Sequence, residues 1–178
     1  MPDSIYQKTI TIGRQTFSYD TLISQSNLGR NSINLANEYL ARYSDPKKAA
    51  KHLLHNFSVK SALGCLPDLL PPDEENNNVR YSAEFTLTLH QILLALAIAY
   101  LAGFDPCEKE VWLFILGNFF SASTNSTNIT STDEFAERTG YALAHGIFNI
   151  AGSEAIGHRA YKYFFENKRS SKRYRKFL

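Results

Sequence analysis

Residues 89–120 read LHQILLALAIAYLAGFDPCEKEVWLFILGNFF, and this stretch decides the fold. Its first half is apolar on nearly every side of a helix. Gly103-Phe104-Asp105-Pro106 then combines a stop signal with a restart, and EKEVWLFILGNFF begins a second buried helix. A helix apolar all round needs company on all sides, so the pair predicts a hairpin in a protein core, against lipid or between subunits. The run Leu89–Phe104 holds about 16 residues, against the roughly 20 that cross a bilayer. His90 and Gln91 sit inside its start. A core helix is the expectation.

Helical spacing continues on both sides. Ile33, Ala36, Tyr39, Leu40 and Tyr43 share one face of a helix beginning at Asn31, with Asn31 or Ser32 as its cap. Asp45-Pro46 is an N-cap followed by proline at the first helical position. The helix it opens carries Ala50, Leu53, Leu54 and Phe57 and ends near Gly64, before Pro67, Pro71 and Pro72. Residues 67–79 (PDLLPPDEENNNV) read as a loop, with the long helix starting near Ser82. Residues 121–132 (SASTNSTNITST) read as a second polar loop. Thr132-Asp133 opens a helix bearing Phe135, Ala142, Leu143, Gly146 and Ile150. Gly152-Ser153 reads as a turn, and a last helix places Ile156, Ala160, Tyr163 and Phe164 on one stripe.

Before Asn31 the period is two. Ile10 and Ile12 alternate with Thr9 and Thr11, Gly13-Arg14 suits a turn, and Thr16–Tyr19 suits a returning strand. A lone two-stranded ribbon is marginal unless it packs on the helices. The expected fold is all-α, a single bundle of about six helices that admits a short N-terminal β-hairpin. Its parts are an N-terminal extension or hairpin (1–30), a helical domain (31–167) and a basic tail (168–178).

Twelve Phe and ten Tyr suit a bulky core or a binding surface. Net charge is only +2, which averages away a strong asymmetry. Between Arg159 and Lys176 eight bases face one acid, Glu166, and the rest of the chain is net acidic. Cys65 and Cys107 lack metal-ligand spacing and read as free, partly buried thiols in a reducing compartment. Cys107 follows Pro106 near a helix N-terminus, where the dipole lowers a thiol pKa while Glu108 and Glu110 oppose it. The first residues carry no apolar stretch of signal-peptide length, so a cytoplasmic protein, peripheral to the inner face of the membrane, is expected.

Motifs of catalysis and cofactor binding do not emerge. No phosphate loop, dinucleotide fingerprint or nucleophile elbow occurs, and no cofactor is implied. His52 and His55 have a two-ligand spacing without a third ligand. His90 reads as a core histidine, and His145 stands where it could face His158. A small hydrolase or metal-dependent enzyme built on these five histidines is one alternative. The basic tail is the stronger candidate: Lys168, Arg169, Lys172, Arg173, Arg175 and Lys176 stand beside Tyr161, Tyr163, Phe164, Phe165 and Tyr174. Such a mixture suits an anionic lipid surface, and equally a nucleic-acid backbone. A solvated terminus without function is the bland reading. The apolar hairpin tilts the choice to lipid.

The order of elements from about Val59 to Phe165 resembles the EcsC-like family of helical bacterial proteins, and the related membrane-associated domain of some bacterial GTPases. The resemblance rests on SALGCLPDLLPP, on the long apolar helix ending in Tyr100, Gly103, Pro106 and Glu110, on VWLFIL, and on IAGSEAIGHRAYKYFF. Where the family has Tyr-Gly at the helix end, this chain has Ala102-Gly103, and the acidic Asn-rich segment looks like an insertion. A tellurite-resistance-type helical domain shares the same outline, without its acidic metal motif here. The resemblance implies a helical, membrane-peripheral protein and carries over no catalytic residue. The expectation is a non-enzymatic accessory protein of a transport or secretion system, contacting an anionic lipid surface or a protein partner, or forming an oligomer. Nucleic-acid binding through the tail is the first alternative.

Overall fold

In the computed structural model, residues 9–12, 15–25, 27–69, 74–119 and 135–166 are described. Their order is β1 (Thr9–Ile12), β2 (Gln15–Ser18), α1 (Tyr19–Gln25), α2 (Leu28–Tyr43), α3 (Pro46–Ser61), a 3-10 segment (Ala62–Leu69), α4 (Glu74–Leu101), α5 (Lys109–Phe119), α6 (Phe135–Tyr161) and a π-helical turn (Lys162–Glu166). The fold is an all-α bundle, with six α-helices and one small hairpin among the described residues. The expected loop at 121–132 and the Gly13-Arg14 turn lie outside them.

β1 and β2 pair antiparallel, Thr9 with Ser18 through Ile12 with Gln15. Tyr19, expected in the second strand, instead opens α1. The Ser18 hydroxyl accepts the Thr21 N–H at 3.1 Å, capping a helix that Asp20 favours in its first turn. Tyr19 and Leu22, three apart, are buried in the core. A Lys109–Asp20 ion pair at 2.7 Å ties α1 to α5. Both partners are substantially exposed, so it contributes at most about 1 kcal/mol.

α2 begins at Leu28, not Asn31, and neither proposed cap acts as one. The Ser32 hydroxyl turns inward and donates to Gly29 O at 2.6 Å. The helix starts early because Gly29 must lie under the α4–α5 turn: a Cβ there would stand 2.8 Å from Pro106 O. The start of α3 is as expected. The Asp45 carboxylate accepts the N–H groups of Lys47 and Lys48, with Pro46 at the first helical position.

Two further boundaries differ from the sequence reading. α4 starts at Glu74 rather than near Ser82, so 74–79 are helical and not loop. Glu74 and Glu75 fall in its first turn, where the helix dipole favours acids, and Asn costs only a few tenths of a kcal/mol per residue in a helix. Asn78 and Val79 are exposed. The second difference is that no turn forms at Gly152-Ser153. α6 runs unbroken from Phe135 to Tyr161. Glycine in a helix costs about 1 kcal/mol against alanine, which packing readily offsets.

The expected hairpin forms, α4 turning through Gly103–Pro106 into α5, over the described residues 89–119. Gly103, at φ 89°, ends α4, its N–H donating to Tyr100 O and that of Phe104 to Ala99 O. The Trp112 indole N–H donates to Pro106 O at 2.8 Å, so the ring is buried with its polar atom satisfied. α4 is the hub, lying against α2, α3, α5, α6 and the 3-10 segment. Ile92 and every residue from Leu94 to Ala99 have no solvent exposure. Each large side chain among them contributes about 1.5–3 kcal/mol by leaving water. The greasy face of α4 is therefore covered by its own chain.

Candidate functional site

α6 places its side chains against the usual rule. Seen down its axis, the stripe facing the bundle is Ala142, Gly146, Asn149, Ser153, Gly157 and Ala160, all buried. The opposite stripe is Leu143, Ala144, Ile147, Phe148, Ala151 and Ala155, all exposed. Leu143, Ile147 and Phe148 show 65%, 67% and 74% of their surface. Small residues go in because α6 crosses its neighbours closely. A Cβ on Gly157 would stand 2.8 Å from Leu54 Cγ and 3.3 Å from Leu94 Cδ2. Leu143 was expected on the same face as Ala142 and Gly146; it lies outside, because close approach admits only small residues on the inner stripe.

The inner seam is also polar. Gln91 Nε2 donates to the Ser153 hydroxyl at 3.2 Å, and the Ser61 hydroxyl donates to Asn149 O at 3.0 Å. Ser58 Oγ and Asn149 Nδ2 are buried without a hydrogen-bond partner among the described residues. Such groups each cost about 1–3 kcal/mol. α6 is thus held by short contacts, partial polar pairing and the half-buried Ile156 and Tyr161, while Leu143, Ile147 and Phe148 stay mostly in solvent.

Toward its C-terminal end the outer stripe changes chemistry. His158, Arg159 and Lys162 are exposed on it, roughly three to four turns beyond Phe148. Aromatic packing fixes this end of the helix: Phe164 is buried edge-on to Phe104 at 5.0 Å, and Tyr163 stacks on Phe114 at 3.5 Å. The tail residues Lys168, Arg169, Lys172, Arg173, Arg175 and Lys176 lie outside the described residues. The bases next to them in sequence are held on the same exposed stripe as Phe148. The 3-10 segment packs along α6 and adds exposed Leu63 and Leu66, with Val59 exposed just before it.

Period alone could not have found this face, since Leu143, Ile147 and Phe148 satisfy any amphipathic template. The missed signal was size: the stripe Ala142, Gly146, Ser153, Gly157, Ala160 has the periodicity of a close helix crossing.

The other candidates separate. The His52 ring lies flat on Tyr43, with centroids 4.0 Å apart, and His55 is exposed. His90 is not buried as expected but exposed, edge-on to Phe57 at 6.0 Å; partial desolvation lowers its pKa. It misses the core because, among the described residues of α4, the fully enclosed stretch begins at Ile92. His145 and His158 share α6, so 13 residues put them about 20 Å apart along the axis and they do not face each other. Among the described residues no three His, Cys, Asp or Glu side chains are grouped to hold a metal. Cys107 is exposed rather than partly buried, and its pKa is raised. Partial desolvation is the larger cause, followed by the charge and hydrogen bond of Asp105, with Arg30 opposing. α5 begins only at Lys109, so Cys107 sits in the turn ahead of it, and the acid that matters is Asp105 rather than Glu108 or Glu110. The side chain of Cys65 lies outside the described residues.

Among the described residues no helix is long and apolar enough to cross a membrane. No protein-family model, curated protein or solved structure matches this chain.

Proposed function

We propose that this is a non-enzymatic, membrane-peripheral protein that meets an anionic lipid surface with the outer stripe of α6. The observation that carries the reading is the inverted helix: it buries Ala, Gly and Ser and shows Leu143, Ile147 and Phe148. Exposed apolar groups of this size in one stripe mark a contact surface. The choice of lipid rests on the bases beyond them. His158, Arg159 and Lys162 continue the stripe, and six further bases stand at 168–176. Each base near anionic headgroups contributes about 1 kcal/mol, and burying Phe148 adds about 1.5–3 kcal/mol. Glu154 and Glu166 subtract from this. The sequence resemblance to EcsC-like proteins belongs to the same proposal and suggests work beside a transport or secretion system.

Co-sedimentation with phosphatidylcholine vesicles, with and without phosphatidylserine, tests the reading at two salt concentrations, with duplex DNA as a parallel ligand. The expected result is binding to the anionic vesicles that weakens with salt and falls about tenfold or more in Leu143→Ser/Phe148→Ser. Tight DNA binding without vesicle binding overturns it. So does a stable dimer that the same double substitution dissociates, with no vesicle binding.

A further inference from the structure

A cleft of about 460 Å³ opens between α2, the first residue of α3 (Pro46) and the α4–α5 turn. Its walls include Ile33 and Leu40 of α2, Tyr100 and Leu101 at the end of α4, and Phe104 and Asp105 of the turn. The volume is that of a small-molecule site, and the seven residue steps from Ile33 to Leu40 give it a floor roughly 10 Å long. Among the described residues of the lining, Asp105 is the one charged side chain, and no Lys, Arg or His joins it.

Three features give this cleft a sign. The Asp105 carboxylate is fixed by the turn, accepting the Cys107 N–H at 2.8 Å. A carboxylate has about four lone-pair sites, so acceptor capacity remains. α4 ends at the cleft, and its last turn carries no basic residue to offset its partial negative charge; the positive end of α3, which starts there at Pro46, is met by its own Asp45 carboxylate. Tyr100 adds an aromatic wall, whose face attracts cations. Arg30 reaches Cys107 electrostatically but does not line the cleft.

We infer that this cleft binds a lipophilic amine: an apolar chain or ring laid along Ile33 and Leu40, with its protonated nitrogen on Asp105. The site is separate from the α6 face, and its test does not depend on vesicle binding.

Amide NMR titrations of the full chain with hexylamine, hexanol and hexanoate decide the matter. Hexylammonium is expected to saturate shifts at Leu40, Gly103 and Asp105, with affinity at least tenfold above hexanol, and hexanoate weakest. Asp105→Asn keeps an acceptor for the Cys107 N–H. It is expected to erase the tenfold preference while leaving hexanol binding unchanged. Leu40→Trp, which fills the cleft, is expected to abolish binding of all three with the helical circular dichroism intact. Hexanoate binding as tightly as the amine, a preference that survives Asp105→Asn, shifts located elsewhere, or no saturation would each overturn the inference.

Discussion

Helices α4 and α6 are nearly equal in length, 28 and 27 residues, and both are rich in apolar residues, yet they point them in opposite directions. α4 buries Ile92, Leu94, Leu96 and Ile98 completely and is enclosed by its own chain. α6 buries glycine, alanine and serine and leaves Leu143, Ile147 and Phe148 in solvent. Apolar content tells how much surface seeks burial. The size of the residues on the inward stripe tells whether the chain itself provides it.

The sharpest way to break this contrast is a pair of truncations. Leu96→Ala in α4 removes fully buried methyl groups and is expected to cost about 2–5 kcal/mol. Phe148→Ala in α6 removes a larger side chain that is mostly in water, and is expected to change stability by about 0.5 kcal/mol or less. Urea denaturation measures both. Equal losses would mean that Phe148 is covered within the chain after all.

A smaller effect tests why α6 takes small residues. Gly157→Ala places a methyl 2.8 Å from Leu54 Cγ and 2.9 Å from Leu54 Cδ1. Overpacking costs about 1–3 kcal/mol, and better helix propensity returns about 1 kcal/mol. The net expectation is a loss near 1 kcal/mol in the same denaturation experiment. A gain would mean that Leu54 moves freely and that the crossing is not tight.

The polar seam offers a change of opposite sign. Ser58→Ala removes a buried hydroxyl that has no partner among the described residues, and leaves a very small cavity. The desolvation cost of that hydroxyl disappears, so stability is expected to hold or rise by up to about 1 kcal/mol, seen as a raised Tm. A clear loss would show that the hydroxyl is satisfied in solution.

These contrasts also mark what the residues alone disclose. The hairpin of 89–120 was legible because its apolar run exceeds anything a wet helix would carry, and because Gly103 and Pro106 punctuate it. Asp45-Pro46 was legible because capping is local chemistry. α1 was not: Tyr19, Leu22 and Ile23 make too short a pattern beside a period-two run. The continuity of α6 was hidden because Gly152-Ser153 has the composition of a turn, and only the neighbours that close on Ser153 and Gly157 make it helix. The exposed face was hidden for a related reason, since a sequence does not say which of two stripes is inside. The tail was legible as charge alone.

The smallest expected effect belongs to His90, where α4 leaves the enclosed core. Its ring sits edge-on to Phe57 of α3, and partial desolvation lowers its pKa below the ordinary 6.5. The unfolded chain therefore takes up the proton at higher pH than the folded one. Stability should rise as pH climbs from below the folded pKa to 6.5, then stay level, because the neutral ring no longer distinguishes the two states. His90→Gln should flatten this part of the profile. Phe57→Ala should move the folded pKa back toward 6.5, followed by NMR of the imidazole Cε1 proton. A pKa that stays low in Phe57→Ala would assign the desolvation to other neighbours of α4 and detach it from the contact with α3.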